Sequence, residues 1–406
     1  MTGPIRRSIP FFALFMCVGL DMSLIGPTLP NLAAQTGSSV GEIGLVFFLG
    51  ALGVSIGTLV GGWALGRVPG RFVLGICEIA SGSMLLAVPH VGWYGPLLAL
   101  FVVKGVTGGV VGTSANTMLQ WVHGEKAGPY VNALHFFFGL GAFASPFVLG
   151  LLLSAGAQYS VAFTLFGLLD VSVGFAVLLR LTSEHAPLPP AADAHAHGVR
   201  GNFVIPIMLA GMAFLFFYVS AEITFAGWIY TYAVTLGLTD AARAAYLTSL
   251  FWLAFTIGRL VSIPVAVRVS SAPVLVIAFT GCAAFLALLI ILPRSEAVVW
   301  VCAAGVGLAM APIWPSGYNL PVQSIRLTAG VGAVIMMGDS VGAMVLPGTM
   351  GLVMERAGAG AMTAMVLASI GAAAVAFGAI LFFRARRKAA LGAAVRSVSA
   401  NPAPGS

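Results

Sequence analysis

The sequence predicts an all-α membrane protein with twelve transmembrane helices in two pseudo-symmetric six-helix bundles. Three observations support this prediction: the composition, a succession of apolar runs and an internal repeat. Hydrophobic residues make up 59% of the 406 residues and charged residues only 8%, whereas soluble domains have about 25% charged residues. The composition therefore excludes an ordinary soluble protein and predicts a chain that crosses a membrane many times.

Twelve apolar runs are long enough to span a bilayer, which takes about 20 residues per helix. They lie near 9–34, 42–65, 71–93, 95–120, 128–153 and 159–181, and then near 203–236, 243–268, 272–293, 297–321, 328–354 and 359–384. The first run continues past Asp21 without a cleavage site of small residues, which favours a first transmembrane helix over a signal peptide. The run 203–236 is too long for an upright helix, so a tilt, a break near Gly227 or an extension beyond the bilayer is expected.

The runs divide the chain into two bundles and two connecting or terminal segments. Residues 1–181 form the N-terminal bundle and residues 203–388 the C-terminal bundle. Residues 182–202 are rich in Pro, Ala and His without helical periodicity, which predicts a cytoplasmic linker. Residues 389–406 are expected to form a cytoplasmic tail.

An internal repeat relates the two bundles by a shift of 201 residues without gaps. The shift places Asp21 on Glu222 and Gly26 on Gly227. It also aligns Ile56-Gly57 with Ile257-Gly258, Arg67-Val68 with Arg268-Val269, Gly141-Ala142 with Gly342-Ala343, and Pro146 with Pro347. Six spans per half give both halves the same orientation, so an axis along the membrane normal and a site between the halves near the midplane are predicted.

The basic residues predict the orientation in the membrane. With a cytoplasmic N-terminus, most of the 19 Lys and Arg residues fall on the cytoplasmic side, whereas only Arg243, Arg294 and Arg356 fall on the opposite side. This asymmetry follows the positive-inside rule. Both termini are therefore predicted to be cytoplasmic, with the protein in the cell's inner (plasma) membrane.

Two carboxylates in the repeat are the first candidates for a functional site. Glu222 lies in the aromatic stretch FLFFYVSAEITFAGWIYTY, residues 214–232, and Asp21 lies in the middle of the first span. A charge at membrane depth costs about 2.5–3.5 kcal/mol on insertion scales, so such groups usually face a cavity or a proton path. A carboxylate in low dielectric gains by taking a proton or holding a cation. Both residues are predicted to couple transport to a cation, with pairing for packing alone as the alternative. Because Glu222 lies within an aromatic cluster, it is also expected to contact the substrate, whereas Asp21 is expected mainly to carry the cation.

Four other ionisable residues within the spans are weaker candidates. Asp339 and His135 are further candidates for cation coupling. Lys104 is a candidate partner of Asp21, because an unpaired charge in low dielectric is strongly disfavoured. Arg259 either binds an anionic substrate or holds one of the carboxylates of the second half.

Amide and aromatic side chains in the spans predict the substrate site. Polar groups have few partners in lipid and should turn inward, and amides both donate and accept hydrogen bonds, as the hydroxyls of a small polar solute do. The predicted substrate-binding residues, besides Arg259, are Asn116, Gln120, Trp228, Tyr232 and Asn319.

Two stretches resemble a known group of transporters. Residues 133–146, ALHFFFGLGAFASP, and 217–234, FYVSAEITFAGWIYTYAV, are similar to the corresponding stretches of the sodium-dependent glucose transporter group and the fucose permease type of sugar porter. Asn116, followed by a short loop and Pro129, adds to the likeness. The whole chain resembles the major facilitator superfamily. The resemblance implies cation-coupled uptake of a sugar or similar small polar solute by alternating access.

The chain also departs from these families. Gly66, in the loop GGWALGRVPGR, stands where the superfamily signature has an Asp, and Gly112 stands where the sugar-porter group is expected to carry an acidic residue. The coupling cation is therefore left open between a proton and sodium. By the same resemblance, Glu78 and Asp170 lie on spans outside the cavity and are expected to be structural.

Other classes of function are less well supported. A proton-coupled exporter of drugs or metabolites remains the alternative, because Gly139, Gly141, Pro146 and Gly150 resemble the fifth-span motif of drug exporters. No nucleophile and base pair, phosphate-binding loop or metal-ligand cluster is visible in the sequence, so neither an enzyme nor a cofactor is predicted. The basic residues lie in short loops, which argues against nucleic acid. The expected partners are the solute, the cation and membrane lipid, with the protein acting as a monomer.

Overall fold

The computed structural model describes residues 4–180, 204–324 and 329–400, and these residues form helices and short connections without a strand. The helices are α1 (Pro4–Thr36), α2 (Val40–Ile43), α3 (Leu45–Leu65), α4 (Gly70–Ala87), α5 (Tyr94–His123), α6 (Ala127–Ser154), α7 (Ser160–Arg180), α8 (Val204–Thr235), α9 (Ala241–Arg268), α10 (Ser271–Ile291), α11 (Glu296–Met310), α12 (Ile313–Ser324), α13 (Ala329–Ala357) and α14 (Ala361–Ala400). The predicted linker, 182–202, lies outside the described residues.

The described helices give the twelve predicted crossings. Eleven helical segments are long and apolar enough to cross a membrane, and the longest, Tyr94–Ser154, has 61 residues. As a single straight helix this segment would extend about 90 Å, three times the thickness of the hydrocarbon core. It turns back at Gly124, whose φ of 53° lies in the left-handed region that favours glycine. The segment therefore makes two crossings, α5 and α6.

Two helix boundaries differ from the sequence prediction, and one of the alternatives for the run 203–236 is excluded. The tenth crossing is interrupted at Ala311 and Pro312, between α11 and α12, because a proline has no N–H to donate within a helix. Helix α8 is continuous through Gly227, so the break considered there is absent. Helix α14 runs to Ala400, so the start of the predicted tail, 389–400, is helical.

The helix starts confirm the internal repeat. Helices α4 and α10 begin at Gly70 and Ser271, and helices α7 and α14 begin at Ser160 and Ala361. Each pair is separated by 201 residues, the offset found in the sequence. The two bundles are therefore two copies of one six-helix unit in the same orientation.

The repeat-equivalent glycines Gly26 and Gly227 contact each other where α1 crosses α8. A Cβ atom added to Gly26 would lie 2.6 Å from the carbonyl oxygen of Gly227. Two equivalent residues meet in this way only near the axis that relates the halves. The absence of side chains lets the two backbones approach closely at this crossing.

Beyond this crossing, the halves close on one face of the bundle. Helices α2 and α3 pack on the end of α13, where a Cβ on Gly348 would lie 2.7 Å from the Cβ of Phe48. The carboxylate of Glu355 accepts a hydrogen bond of 2.7 Å from the backbone N–H of Gly41. On the other side of the axis, the hydroxyl of Ser249 donates to the carbonyl of Phe143 at 2.6 Å. The closed face is the one opposite the start of α1.

Alanine at Gly26 is expected to loosen this closed face. The added Cβ would collide with the backbone of the other half. Backbone atoms cannot relieve such a collision by a change of rotamer, as a side chain can. Spin labels at Gln158 and Arg356, one on each half at this face, should therefore show a longer distance by double electron–electron resonance. The matched control is Gly50→Ala, since a Cβ at Gly50 meets no atom within 4 Å. An unchanged distance in Gly26→Ala would show that the glycine contact does not hold the face closed.

Candidate functional site

A cavity of about 560 Å³ lies between the halves, between the Gly26–Gly227 crossing and the face that holds the start of α1. Its walls come from α1, α3, α4, α5 and α6 of the first half and from α8, α9 and α13 of the second. The volume is within the usual range of small-molecule sites, about 300–1,000 Å³. The polar lining residues include Asp21, Ser55, Thr58, Glu78, Ser81, Lys104, Thr113, His135 and Asp339.

An ion pair forms the polar wall of the first half. The ammonium of Lys104 lies 2.5 Å from Oδ2 of Asp21, and the hydroxyl of Ser81 donates to the same oxygen at 3.2 Å. Lys104 also contacts the Ser81 hydroxyl at 3.3 Å. The predicted pairing of Asp21 with Lys104 is confirmed. Three helices, α1, α4 and α5, thus converge on one carboxylate.

Glu78 lines the same cavity, so its predicted place outside the cavity is wrong. Helix α4 packs between α5 and α7, and the long side chain of Glu78 reaches the cavity beside Asp21. Asp170, on α7, does not line the cavity and is fully buried behind it.

In the second half, Glu222 lies behind the cavity wall. Its side chain is 7% exposed, and its neighbours Ile223, Ala226 and Gly227 provide the lining. Tyr218 lies beside the carboxyl group, and its hydroxyl donates a hydrogen bond of 2.9 Å to the carbonyl of Met310. The predicted direct contact of Glu222 with a substrate is therefore not made in this state.

Asp339 lines the cavity on the side of the second half. Its Oδ1 accepts a hydrogen bond of 2.7 Å from the indole N–H of Trp314, and the Trp314 ring stacks on Tyr318 with centroids 5.5 Å apart. Trp314 was not found by sequence reasoning, since its role depends on the contact between α12 and α13. The pair orients a carboxylate towards the cavity.

Arg259 lies within electrostatic range of both carboxylates of the second half, Glu222 and Asp339. Its guanidinium lies over the Phe255 ring, 4.5 Å from the centroid, and it does not line the cavity. This arrangement fits the holding role among the two predicted for Arg259 and gives no direct contact with a solute.

His135 lines the cavity, a position from which its ring could exchange protons with the cavity, as a cation-coupling residue would. Its ring meets Phe15 edge-on, with centroids 5.7 Å apart. Position and access are therefore suitable for the predicted coupling role, which the structure leaves as a prediction.

None of the five predicted amide and aromatic residues lines the cavity. Trp228 and Tyr232 are fully buried, and the Trp228 indole donates to the carbonyl of Pro347 at 2.9 Å. Gln120 donates to Asn116 at 2.8 Å, and Asn319 is exposed. A polar or aromatic side chain is predicted to avoid lipid. It can do so in a contact between two helices or at the end of a helix as well as on the wall of a cavity.

Trp252 and Phe138 line the cavity instead. Their rings meet edge-on, with centroids 6.2 Å apart, at the contact of α6 with α9. The indole nitrogen of Trp252 is buried and has no hydrogen-bond partner in the described part of the chain. A buried donor without a partner is costly, which makes it a candidate contact for a ligand. The sequence carries no signal for it beyond an aromatic residue in a span.

Two repeated six-helix bundles around a central cavity lined by carboxylates are the architecture of a membrane transporter. The chain belongs to the Major Facilitator Superfamily, whose sequence profile matches residues 11–347. This confirms the resemblance seen in the sequence, and it makes the protein a transporter and not an enzyme.

The chain is similar to known transporters in sequence and in fold. The mouse sodium-dependent glucose transporter 1A is 27% identical over an alignment of 373 positions, which covers 84% of this chain and 88% of the relative. The human sodium-dependent glucose transporter 1 is 25% identical over 85% of this chain and 73% of its own length. A solved structure of a D-xylose-proton symporter has a TM-score of 0.76 at 15% identity, covering 94% of this chain and 97% of that one. This structural likeness shows the shared fold.

Proposed function

We propose that the protein is a cation-coupled symporter of a sugar or a similar small polar solute. The observation that best supports this function is the placement of Asp21, Asp339 and Trp252 around one cavity; the indole N–H of Trp252 has no hydrogen-bond partner among the described residues. Its sequence relatives include sodium-dependent glucose transporters. We further propose that it resides in the inner membrane with both termini in the cytoplasm and acts as a monomer.

The cavity wall suits a sugar. Trp252, Phe138 and Phe47 offer aromatic faces to the apolar side of a pyranose ring, and the Lys104–Asp21 pair, Ser55 and Thr58 offer donors and acceptors for hydroxyls. No described residue carries a positive charge on the cavity wall without a carboxylate partner, which favours a neutral solute over an anion.

The carboxylates supply the coupling. When the cavity switches from one side of the membrane to the other, any charge in it must pass through a region of low dielectric. Binding of a proton or sodium neutralises a carboxylate and so lowers the free-energy cost of this switch. Glu222 is placed to respond to protonation. The Tyr218 hydroxyl donates its hydrogen bond to the Met310 carbonyl, so its oxygen can accept a hydrogen bond from a protonated Glu222. With the N-terminus cytoplasmic, the closed face is the outer one and this structure is the inward-facing state.

Gradient-driven uptake tests the proposed function. Purified protein in sealed proteoliposomes should accumulate radiolabelled glucose or D-xylose when a proton or sodium gradient is imposed, and equilibrate them when none is. Liposomes without protein set the background. Efflux of cationic dyes in place of sugar accumulation would favour the exporter instead and contradict this proposal.

Trp252→Phe is expected to weaken sugar binding about fivefold. The substitution keeps an aromatic face but removes the indole N–H, and one hydrogen bond contributes about 1 kcal/mol. The dissociation constant for glucose, measured by thermal shift in detergent, should rise accordingly. Trp93→Phe is the matched control, because Trp93 is 78% exposed and away from the cavity. Equal affinities of wild type and Trp252→Phe would exclude this contact.

A further inference from the structure

A buried pair of carboxyl groups lies behind Asp21, between α4 and α7. A carboxylate oxygen of Glu78, one of Asp170 and the Sγ atom of Cys17 all lie within 4.8 Å of one another. Glu78 is 2% exposed and Asp170 is fully buried. Both oxygens of Asp170 and Oε1 of Glu78 have no N–H or O–H hydrogen-bond partner among the described residues. The thiol of Cys17 lies beside them, but a thiol is only a weak donor. Buried carboxyl groups without partners are rare, since each carries a desolvation penalty.

The charges around the pair do not balance if both groups are ionised. The groups that face it are Asp21 and Cys17 on α1 and Lys104 on α5. Lys104 is the only cation that faces the pair from the described helices, and it is engaged with Asp21 at 2.5 Å. Two further negative charges within 4.8 Å would repel each other in low dielectric. The pair must therefore hold at least one proton or a metal ion.

The ligand set favours a proton. Calcium takes six to eight oxygen ligands, and magnesium an octahedron of oxygens, whereas this pocket offers two carboxyl groups and a thiol. Zinc accepts thiolate and carboxylate ligands, but its structural sites have four protein ligands, and the cluster among the described residues has three. Two adjacent carboxyl groups, by contrast, share a proton readily, because ionisation of one disfavours ionisation of the other.

The fold of the second half shows that the pair is not required to build a six-helix unit. Phe279 occupies the position on α10 that corresponds to Glu78. The residue of α14 that corresponds to Asp170 is Gly371. The two helices of the first half instead approach so closely that a Cβ on Gly82 would lie 2.8 Å from the Cβ of Asp170. The carboxyl groups are an addition to the repeated unit.

We propose that Glu78 and Asp170 form a proton-binding pair that holds the coupling proton of the first half behind Asp21. A proton enters from cavity water at Glu78, which lines the cavity, and is shared with Asp170. It returns to water when the cavity changes its access. Asp21 remains an ionised partner of Lys104. This inference rests on the proposed symport and deepens it, since it names the cation as a proton.

Infrared spectroscopy of the purified protein tests the pair without transport. At neutral pH the wild type should show the C=O band of protonated carboxyl groups, shifted in D₂O. Glu78→Gln and Asp170→Asn should each reduce this band, whereas Glu125→Gln, at an exposed carboxylate, should leave it unchanged. A wild type without the band, or folded variants that both retain it in full, would overturn the proposal. Stoichiometric metal in the wild type that both variants lose would overturn it as well.

Transport separates this inference from the proposed function. Asp170→Asn should keep glucose counterflow near the wild-type rate and lower accumulation driven by a proton gradient at least tenfold. Accumulation at the wild-type level would overturn the pair as a coupling site while leaving symport standing. If the wild type transports no sugar, the proposed function fails, and the infrared bands still decide whether the pair holds a proton.

Discussion

Replacing Glu222 with glutamine is expected to abolish gradient-driven accumulation of sugar while leaving sugar binding within about twofold of wild type. Glutamine keeps the shape of the side chain but binds no cation. The second half therefore loses the change of charge that couples the transport of sugar to the cation gradient. Binding persists because the carboxyl group lies behind Ile223, Ala226 and Gly227 rather than on the cavity surface. Accumulation in proteoliposomes and the dissociation constant in detergent are the two measurements.

The control for this experiment is Glu125→Gln, which removes an exposed carboxylate and should transport as the wild type does. Full accumulation by Glu222→Gln would exclude Glu222 from coupling. A large loss of affinity would instead place the carboxyl group in contact with the solute, as the sequence alone had predicted.

Lys104→Met is expected to destabilise the protein by about 3–5 kcal/mol, the usual effect of removing one partner of a buried ion pair. The Asp21 carboxylate would keep only the Ser81 hydroxyl at 3.2 Å, while its Oδ1 already lacks a partner among the described residues. The free energy of unfolding, from denaturant titration in detergent, is the measurement.

The double variant Asp21→Asn/Lys104→Met should recover most of this stability, since no unpaired charge remains. Lys104→Arg, which keeps the charge, serves as the matched control for the loss of the ammonium. A double variant as unstable as Lys104→Met would show that packing of the long side chain, and not the ion pair, accounts for the loss.

The fold was predictable because its signals are strong. Apolar runs reveal helices that must satisfy their backbone in lipid, and the 201-residue offset reveals two equal halves before any contact is known. The break between α11 and α12 was missed although Pro312 and Pro315 stand in the sequence. Helix α1 continues through three prolines, Pro10, Pro27 and Pro30. A proline in the sequence therefore does not by itself predict a break in a helix.

The site was predictable where it depends on charge. Asp21, Lys104 and Asp339 were found because ionisable residues at membrane depth are few and need partners. Trp228 and Tyr232 were placed on the cavity for their aromatic character, which serves equally well for packing on the closed face. Trp252 carries the same character and does line the cavity. Which aromatic residue meets the cavity depends on how α6 and α9 pack, and no single-sequence pattern records that contact.

Movement of cations driven by sugar tests the central claim most directly. Glucose added outside lightly buffered proteoliposomes should enter together with a proton, so the external pH should rise in the wild type and stay constant in Glu222→Gln. A protonophore should abolish the signal. Uptake of radioactive sodium in its place would keep the symport but contradict the proton assignment. Entry of glucose without movement of either cation would contradict cation-coupled symport itself.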